Sequence, residues 1–407
     1  MPEGRNGRYH VTRRGFALGA LASLGGAASA REARRIELPF SNGERSLVAY
    51  PQKRPLILQT ARPPQLETPF SVFGEGLLTP NDAFFVRYHL SGLPTDFNLA
   101  DYRLTISGLV ERPLSLSLAE LQRDFAPVEL VAVNQCSGNS RGFVTPRVAG
   151  GQLGNGAMGN ARWRGVSLRA LLERAGVKPG ARQLSFDGLD APATPATPDF
   201  VKALDLDHAM SGEPLLAYAM NGAALPFLNG FPLRLVVPGY YGTYWVKHLS
   251  SIQLLDHSFD GYWMAKAYRI PDNGCACVPA GTRPEKTVPI NRLNVRSFIT
   301  SHASGSRVRA GRPLALRGIA FDGGTGIAKV EVSVDGGLNW RPARLGEDLG
   351  RFSFREWRID LPVAAGEQQL LVRATSIGGE TQPLDPLWNP SGYRRNVIER
   401  TLLTGFA

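Results

Sequence analysis

Apolar and polar residues alternate along several short stretches, and this two-residue period predicts β-strands. In the first two thirds of the chain, the strand-like runs lie at 102–109, 128–133, 184–189, 233–237 and 246–255. Two short helices interrupt them. Ser117 and Glu120 form a capping box for a helix through Phe125, and Ser167 can cap a helix that stops at Gly176. Interleaved strands and helices predict an α+β fold for residues 33–282.

A further alternating run covers 84–90 and separates its side chains into two sets. Val86, Tyr88 and Leu90 share one face of the predicted strand. Phe85, Arg87 and His89 share the other, and a face with both Arg and His is unusual for a plain core. Residues 31–80 are rich in Pro and Arg and only weakly periodic. We expect them to form an extended segment that wraps around the core.

The pattern changes near Arg283, after which only strand-like alternation remains. The clearest runs are 314–320, 330–334 and 369–375, and Asp335-Gly336-Gly337 predicts a turn between Val334 and a strand through Trp340. This spacing predicts an immunoglobulin-like β-sandwich domain over residues 283–407, without the inter-sheet disulfide of antibody domains.

The first 32 residues have the pattern of a twin-arginine signal peptide. Arg13 and Arg14 precede a short apolar run, 17–27, which ends in Ala28-Ser29-Ala30. We expect cleavage near Ala30 and a periplasmic location. That route exports folded proteins, which favours a tightly bound cofactor. No later stretch is long and apolar enough for a stable membrane insertion.

The composition is that of a globular protein with an excess of positive charge. The chain has 407 residues, 43% of them hydrophobic, and a formal net charge of +11. Such a charge suits an anionic substrate or an acidic protein partner. The basic residues are scattered, with no run of five and no nucleic-acid-binding motif, so we expect no nucleic acid partner.

Three cysteines are too few for a disulfide framework. Cys136 lies in a predicted loop, 134–143, after the strand 128–133. One interpretation of Cys136 is a small buried residue. The other is a thiolate that acts as a soft metal ligand or as a nucleophile, and the nearby charge of Arg141 favours the thiolate form. Cys275 and Cys277 are too close in sequence for an easy disulfide with each other, so we expect free thiols or ordinary loop residues.

A glycine pattern after the cysteine loop matches the dinucleotide-binding fingerprint by letter alone. It runs Gly154-x-Gly156-x-x-Gly159. No predicted strand precedes it and no helix follows directly, so we reject a dinucleotide site here.

Several motifs in order resemble the sulfite oxidase family of molybdenum enzymes. The cysteine loop is similar to the family's molybdenum-ligating loop, and Phe85-x-Arg87-x-His89 to its first pterin-binding stretch. Further matching motifs lie at 159–165, 188–190, 215–222, 229–239, 246–247, 268, 332–340 and 388–389. The resemblance is strongest to the catalytic subunit of bacterial periplasmic sulfite dehydrogenases, which pairs with a c-type cytochrome.

The resemblance implies one molybdenum-molybdopterin per chain, with Cys136 as the protein ligand of the metal. It implies that residues along the whole first domain contact the molybdopterin: Phe85, Arg87, His89, Asp190, Asn229, Arg234, Trp245, Val246 and Lys247. Arg234 and Lys247 suit its phosphate by charge. Two positions depart from the family pattern: many relatives have His at Asn229 and a second Arg at Ser140.

The resemblance also implies a reaction, the oxidation of sulfite to sulfate. Arg87 and Arg141 are the candidate cations for the sulfite oxygens, and Tyr268 offers a neutral hydroxyl. Without the resemblance, Arg141 could be a surface ion pair and Tyr268 a core tyrosine. The chain has no C-x-x-C-H motif, so we expect no haem in it and an external c-type cytochrome as the electron acceptor. We expect a heterodimer with that cytochrome in preference to a homodimer.

Three other functions stay open at this point. The first is a sulfane-sulfur dehydrogenase of a thiosulfate-oxidising complex. The second is a periplasmic molybdenum reductase acting on oxidised methionine, although such enzymes usually lack a C-terminal sandwich. The third is a basic immunoglobulin-like binding protein without a metal.

Overall fold

The computed structural model describes residues 34–407, so the predicted signal peptide lies outside the described residues. Within that range the chain is mostly sheet. Its four α-helices are all of eight residues or fewer: α1 (Leu118–Asp124), α2 (Leu168–Ala175), α3 (Leu206–Ala209) and α4 (Tyr262–Ala265). The helical part is therefore smaller than the prediction of an α+β fold implies, and the architecture is β-rich.

The strands up to residue 289 are β1 (Arg35–Glu37), β2 (Glu44–Val48), β3 (Leu56–Thr60), β4 (Gln65–Glu67), β5 (Val86–Arg87), β6 (Leu104–Gly108), β7 (Leu114–Leu116), β8 (Pro127–Gln135), β9 (Met158–Ser167), β10 (Gln183–Gly188), β11 (Lys202–Asp205), β12 (Leu215–Met220), β13 (Ala223–Ala224), β14 (Arg234–Val236), β15 (Leu249–Leu255), β16 (Arg269–Pro271) and β17 (Thr287–Pro289). Those that follow are β18 (Arg296–Ile299), β19 (Ser306–Arg309), β20 (Pro313–Phe321), β21 (Ile327–Ser333), β22 (Arg341–Pro342), β23 (Arg344–Leu345), β24 (Arg355–Pro362), β25 (Gly366–Ser376) and β26 (Glu399–Phe406).

Both predicted helices are present, with the predicted caps. In α1 the Ser117 hydroxyl accepts from the Glu120 backbone N–H, and the Glu120 carboxylate accepts from the Ser117 N–H. In α2 the Ser167 hydroxyl accepts from the Ala170 N–H. Gly176 follows α2 at a φ of 71°, a left-handed conformation that favours glycine and ends the helix.

The N-terminal region is more regular than predicted. Instead of a purely extended segment, it forms a five-stranded sheet in the order β1-β2-β3-β4-β5. Its short strands were hard to predict because none exceeds five residues and few of their side chains are fully buried. The predicted strand at 84–90 is reduced to Val86–Arg87, yet its two sets of side chains remain distinct, with Val86, Tyr88 and Leu90 all at 2% exposure or less.

Two sheets form the main core of the first part. One has the order β11-β10-β15-β6-β7, and the other β13-β12-β9-β8 with β14 against β12. The longest pairing is the antiparallel β8–β9 hairpin, in register from Pro127 opposite Val166 to Gln135 opposite Met158. The predicted strand 246–255 begins only at Leu249, because a 3₁₀ turn and a loop occupy 242–248.

The last part of the chain contains two facing sheets. Their orders are β18-β20-β24-β23 and β19-β26-β25-β21-β22, and both contribute to one buried cluster that includes Trp357, Leu316 and Val332. This agrees with a sandwich; the assignment as immunoglobulin-like and the boundary at 283 stay predictions. The Asp335-Gly336-Gly337 turn is present, with φ values of 75° and 94° at the two glycines, but the residues up to Trp340 form no strand after it.

The expectation for the two neighbouring cysteines is wrong. Cys275 and Cys277 form a disulfide with an S–S distance of 2.07 Å. Between them Ala276 has a φ of 49°, and this left-handed residue turns the backbone so that the flanking side chains meet. Sequence spacing alone could not reveal that turn.

Candidate active site

A cavity lies beyond the end of β8 and is lined by most of the predicted site residues. Its walls come from six separate stretches of the chain. The lining residues are Phe85, Arg87, His89, Asn134, Cys136, Ser137, Phe200, Leu228, Asn229, Arg234, Gly242, Thr243, Trp245, Lys247 and Tyr268. The predicted face of Phe85, Arg87 and His89 therefore meets the cysteine loop, although about 45 residues separate them in the sequence.

The β8–β9 hairpin holds the cysteine in place. Cys136 is the first residue after β8, and its backbone N–H donates to the Ala157 carbonyl at 2.9 Å. Its own carbonyl accepts from the Asn139 N–H at 3.0 Å, which closes a tight turn. The thiol is 8% exposed and lines the cavity, so it is available to a ligand there but shielded from bulk water.

Arg87, His89 and Tyr268 form one connected group in the cavity wall. The His89 Nε2 is hydrogen-bonded to the Tyr268 hydroxyl, and the Arg87 Nη2 lies 3.5 Å from the same oxygen. The His89 ring stacks on Phe200 with 3.6 Å between centroids. Burial, followed by the charges of Arg87, Lys247 and Lys202, lowers the pKa of His89 well below its usual value. His89 is therefore neutral at neutral pH and leaves the positive charge to Arg87.

A second group of cavity residues carries buried positive charge. Arg234 is 5% exposed, donates to the Asn229 carbonyl at 3.1 Å, and has its pKa lowered by burial to about 9. The Lys247 Nζ donates to the Arg87 carbonyl at 2.6 Å, and burial lowers its pKa to about 7. Trp245 is buried, and its indole N–H donates to the Tyr240 carbonyl. Because that polar group is already paired, Trp245 gives the cavity an apolar wall.

Three of the predicted residues do not line the cavity. Val246 is 1% exposed and belongs to the hydrophobic core. Asp190 lies two residues after the end of β10, where burial raises its pKa to about 6 while the Lys247 charge acts in the opposite direction. The Arg141 Nε donates to the Ser391 carbonyl at 3.0 Å, and its guanidinium lies over the Tyr393 ring at 5.0 Å. Tyr393 in turn stacks on Tyr268. Arg141 therefore connects to the group of Arg87, His89 and Tyr268 through the Tyr393 ring.

No sequence pattern indicates Lys53, a residue outside the cavity that supports its wall. Its Nζ donates to the carbonyls of Asn81 and Phe84 and, at 2.5 Å, to the Asn229 Oδ1. The Asn229 Nδ2 then donates to the Phe85 carbonyl at 3.1 Å. A lysine before β3 in a polar segment carries no periodic signal, so only the fold shows that it holds Asn229.

The rejected glycine motif has a packing role. A Cβ at Gly156 would lie 1.9 Å from the Thr68 carbonyl oxygen, and one at Gly159 would lie 2.5 Å from the Phe84 ring. The N–H groups of Gly154 and Gly156 donate to the buried Glu67 carboxylate. The glycines therefore allow the N-terminal sheet to approach β9 closely, and no helix N-terminus follows them.

The cavity has the properties that a metal-bearing, anionic cofactor requires. Buried polar atoms of Asn134, Ser137 and the Arg234 Nε have no hydrogen-bond partner among the described residues and belong to residues that line the cavity. Unpaired buried polar atoms are rare, and a bound water, ion or ligand can satisfy them. Within residues 34–407 no cluster of three His, Cys, Asp or Glu side chains could hold a metal alone. A metal bound at Cys136 would need further ligands from outside this set of side chains, which a cofactor can supply.

The fold and the site define a molybdopterin-dependent oxidoreductase, and the sequence comparisons agree. Residues 90–263 match the oxidoreductase molybdopterin binding domain, and residues 287–404 match the Mo-co oxidoreductase dimerisation domain. Sulfite oxidase from Gallus gallus is 35% identical over 367 residues, which cover 86% of this chain and 78% of that protein. The chain belongs to the sulfite oxidase family.

Two further proteins are similar to this chain, one in sequence and one in solved structure. Mitochondrial sulfite oxidase from Homo sapiens is 33% identical over 369 residues, which cover 86% of this chain but only 66% of the human protein. Among solved structures, the sulfane dehydrogenase SoxCD from Paracoccus pantotrophus superimposes with a TM-score of 0.72 at 26% identity and covers 94% of both chains. No helix in residues 34–407 is long and apolar enough to cross a membrane.

Proposed function

We propose that this chain is a sulfite dehydrogenase that oxidises sulfite to sulfate at a molybdenum-molybdopterin centre and passes electrons to a c-type cytochrome. The observation that carries the proposal is the meeting of the Cys136 thiol with Arg87, His89 and Tyr268 in one cavity. The thiol suits a soft metal, and the other three suit a small oxyanion beside it.

The residues divide into those that would hold the cofactor and those that would face the substrate. Cys136 would ligate the metal, which supplies two-electron oxidation and oxygen-atom transfer when bound. Arg234 and Lys247 would neutralise the cofactor's phosphate, and the unpaired atoms of Asn134 and Ser137 would bond to its polar edge. Asn229, held by Lys53, would complete this set.

The substrate group would bind sulfite by charge and by one neutral hydroxyl. Arg87 offers a permanently charged, planar donor for the sulfite oxygens. Neutral His89 orients the Tyr268 hydroxyl without adding charge, since burial and nearby cations lower its pKa well below the usual value. Arg141 stands behind Tyr393 and would add positive potential to the site.

Features of the chain outside the cavity support a proposal for the electron acceptor and for the compartment. We propose a c-type cytochrome as the acceptor, because the sequence has no haem attachment motif and an excess of positive charge. The paired Arg13 and Arg14 support export to the periplasm, where such cytochromes occur. A heterodimer with the cytochrome stays our prediction. The match to a dimerisation domain supports the alternative of a homodimer.

One second function has a specific observation in its favour. The superposition on sulfane dehydrogenase covers 94% of both chains, so a substrate in which sulfane sulfur is attached to a carrier also fits this fold. The similarity to sulfite oxidases is higher in identity, at 35% against 26%, and we therefore place free sulfite first.

The test is cytochrome c reduction by the purified chain with its cytochrome, with free sulfite in one arm and a carrier-bound sulfane in the other. We expect turnover with free sulfite. Turnover with the sulfane substrate alone would contradict the proposal and favour the second function. Metal analysis is the control: less than about half an equivalent of molybdenum per chain, in protein from a cofactor-competent host, would favour the non-catalytic binding protein instead.

A further inference from the structure

Lys202 is a fully buried lysine beside Tyr268 that the proposed reaction does not use. It is the first residue of β11 and is 0% exposed. Its Nζ donates to the Trp263 carbonyl oxygen at 2.6 Å and lies 4.7 Å from the Tyr244 ring centroid and 5.3 Å from that of Tyr268. No salt bridge to a carboxylate is present for it within the described chain, and burial without such a partner is costly for lysine.

The groups nearest to the Lys202 Nζ favour its charged form, whereas burial opposes it. A carbonyl oxygen and two aromatic ring faces carry negative potential, so they attract N–H groups and repel the lone pair of a neutral amine. Burial lowers the pKa of Lys202 to about 7, so the ammonium persists below neutral pH. Its charge also reaches the substrate group, because it contributes to lowering the pKa of His89 after burial, Arg87 and Lys247.

Tyr268 needs support of this kind. Its φ is 56°, a left-handed conformation that is unfavourable for a bulky residue and persists only where the surroundings hold it. Tyr393 stacks on its ring at 5.6 Å between centroids, and His89 and Arg87 contact its hydroxyl. Lys202 adds a cation–π contact to the Tyr268 ring itself.

We propose that Lys202 is a positioning residue for Tyr268, whose ring it holds through a cation–π contact while adding positive charge behind the site of an anionic substrate. The inference rests on the proposed function in taking sulfite as that substrate. The ammonium acts through the ring and is kept out of solvent, so it does not compete with Arg87 for the sulfite oxygens. Its loss should weaken sulfite binding more than it slows the chemical step.

Two variants separate the charge of Lys202 from its hydrogen bond to Trp263. Lys202→Gln removes the charge and keeps a side-chain N–H donor, whereas Lys202→Met removes both. At pH 6 we expect both variants to raise the KM for sulfite about tenfold, less than the full value of a desolvated cation–π contact because the ammonium acts only through the Tyr268 ring, with kcat changed by less than about threefold. Lys266→Met is the matched control, since Lys266 is an exposed lysine directly after α4, and it should leave both constants unchanged.

The KM values of the two variants decide whether the inference stands. A normal KM in Lys202→Gln together with a raised KM in Lys202→Met would show that only the bond to Trp263 matters and would overturn the inference. Normal constants in both variants would overturn it as well. If Lys202→Met fails to fold, Lys202→Gln decides alone, with circular dichroism and molybdenum content confirming an intact protein.

A measurement without turnover separates this inference from the proposed function. Sulfate is an inert dianion of the same class, and its binding to the oxidised holoenzyme can be followed by calorimetry at pH 6. We expect about tenfold weaker sulfate binding in Lys202→Gln than in the wild type. If the wild type fails to oxidise sulfite but sulfate binding still depends on Lys202, the proposed function fails while the positioning role stands. Equal sulfate affinities would overturn the role.

Discussion

The Arg234 guanidinium shows how strongly single residues of this cavity depend on what surrounds them. It is 5% exposed, lies 5.5 Å and 5.7 Å from the rings of Trp163 and Trp245, and leaves its Nε without a partner among the described residues. A buried, half-satisfied cation is unfavourable unless an anion completes it. The same reasoning applies to Lys247, and together these residues point to an anionic ligand more directly than Cys136 does.

Replacing the thiol should remove the metal's protein ligand with little effect on the fold. Cys136→Ser keeps a small side chain at the end of β8, but its hydroxyl is a poor ligand for a soft metal at neutral pH. We expect sulfite-dependent cytochrome c reduction to fall to background while the melting temperature changes little. Activity near that of the wild type would contradict the assignment of Cys136.

Arg87 should determine the apparent affinity for sulfite. A charge-assisted hydrogen bond is worth about 1.5–3 kcal/mol, so Arg87→Met should raise the KM for sulfite about tenfold to a hundredfold. The measurement is steady-state kinetics with molybdenum content determined in the same preparation. Arg103→Met, at an exposed arginine, is the control. An unchanged KM with full cofactor loading would remove Arg87 from the substrate site.

At the scale of elements, turns and strand ends determine where side chains point. The β8–β9 hairpin places Cys136 directly after its register ends at Gln135. Ala276, at a φ of 49°, brings Cys275 and Cys277 together, and the Ala276 carbonyl accepts from the Asn389 Nδ2. The disulfide loop therefore braces the segment from Asn389 to Tyr393, and this segment contacts Arg141 and Tyr268.

The turn after β21 offers a test of stability against pH. The Asp335 carboxylate accepts hydrogen bonds from the Asn339 backbone and side chain and from the Ser333 hydroxyl, which lower its pKa from 3.8 to about 2. A lowered carboxyl pKa adds stability that is complete above the unfolded value and is lost as the pH falls toward the folded value. Asp335→Ala should therefore melt below the wild type at pH 5.

The comparison is made by thermal melting of both proteins between pH 5 and pH 2. The difference between them should shrink as the pH falls from about 4 to about 2, because the wild type loses this contribution by protonation. A difference that stays constant over the whole range would mean that the carboxylate charge does not stabilise the turn.

At the scale of the whole molecule, the C-terminal sheets complete the cysteine loop. Arg296 of β18 is 1% exposed and donates to the Ser140 hydroxyl at 2.9 Å and to the Glu399 carboxylate at 2.8 Å. A guanidinium from the C-terminal part of the chain therefore contacts the cysteine loop at Ser140. The main core also includes Phe298, Phe321 and Phe354 from the same part, so the two parts share buried surface.

Removing this arginine should destabilise the molecule as a whole. Arg296→Met leaves Ser140 and Glu399 short of a donor, although Arg395 still pairs with Glu399. We expect the free energy of unfolding to fall by about 2–4 kcal/mol, near the lower range for breaking a buried ion pair. Chemical denaturation measures this. Arg309→Met, at an exposed arginine of β19, should change it by less than about 0.5 kcal/mol. Equal effects would contradict the role of Arg296.

The local features of this protein can be predicted from its sequence alone. Capping residues specified α1 and α2, strand alternation separated Phe85, Arg87 and His89 from their buried neighbours, and ordered motifs indicated the family. These signals lie within a few residues of one another, so they need no long-range contact. The substrate, the cytochrome and the export route stay predictions that await experiment.

The set of residues that meet around the cavity depends on the tertiary fold. Lys53, Lys202 and Arg296 are buried cations whose partners lie far away in the sequence, and no periodic pattern marks them. The left-handed residues Ala276 and Tyr268 are likewise held by packing against distant segments, since their own preferences oppose that conformation. The buried cations and the left-handed residues persist because contacts from distant segments of the chain stabilise them.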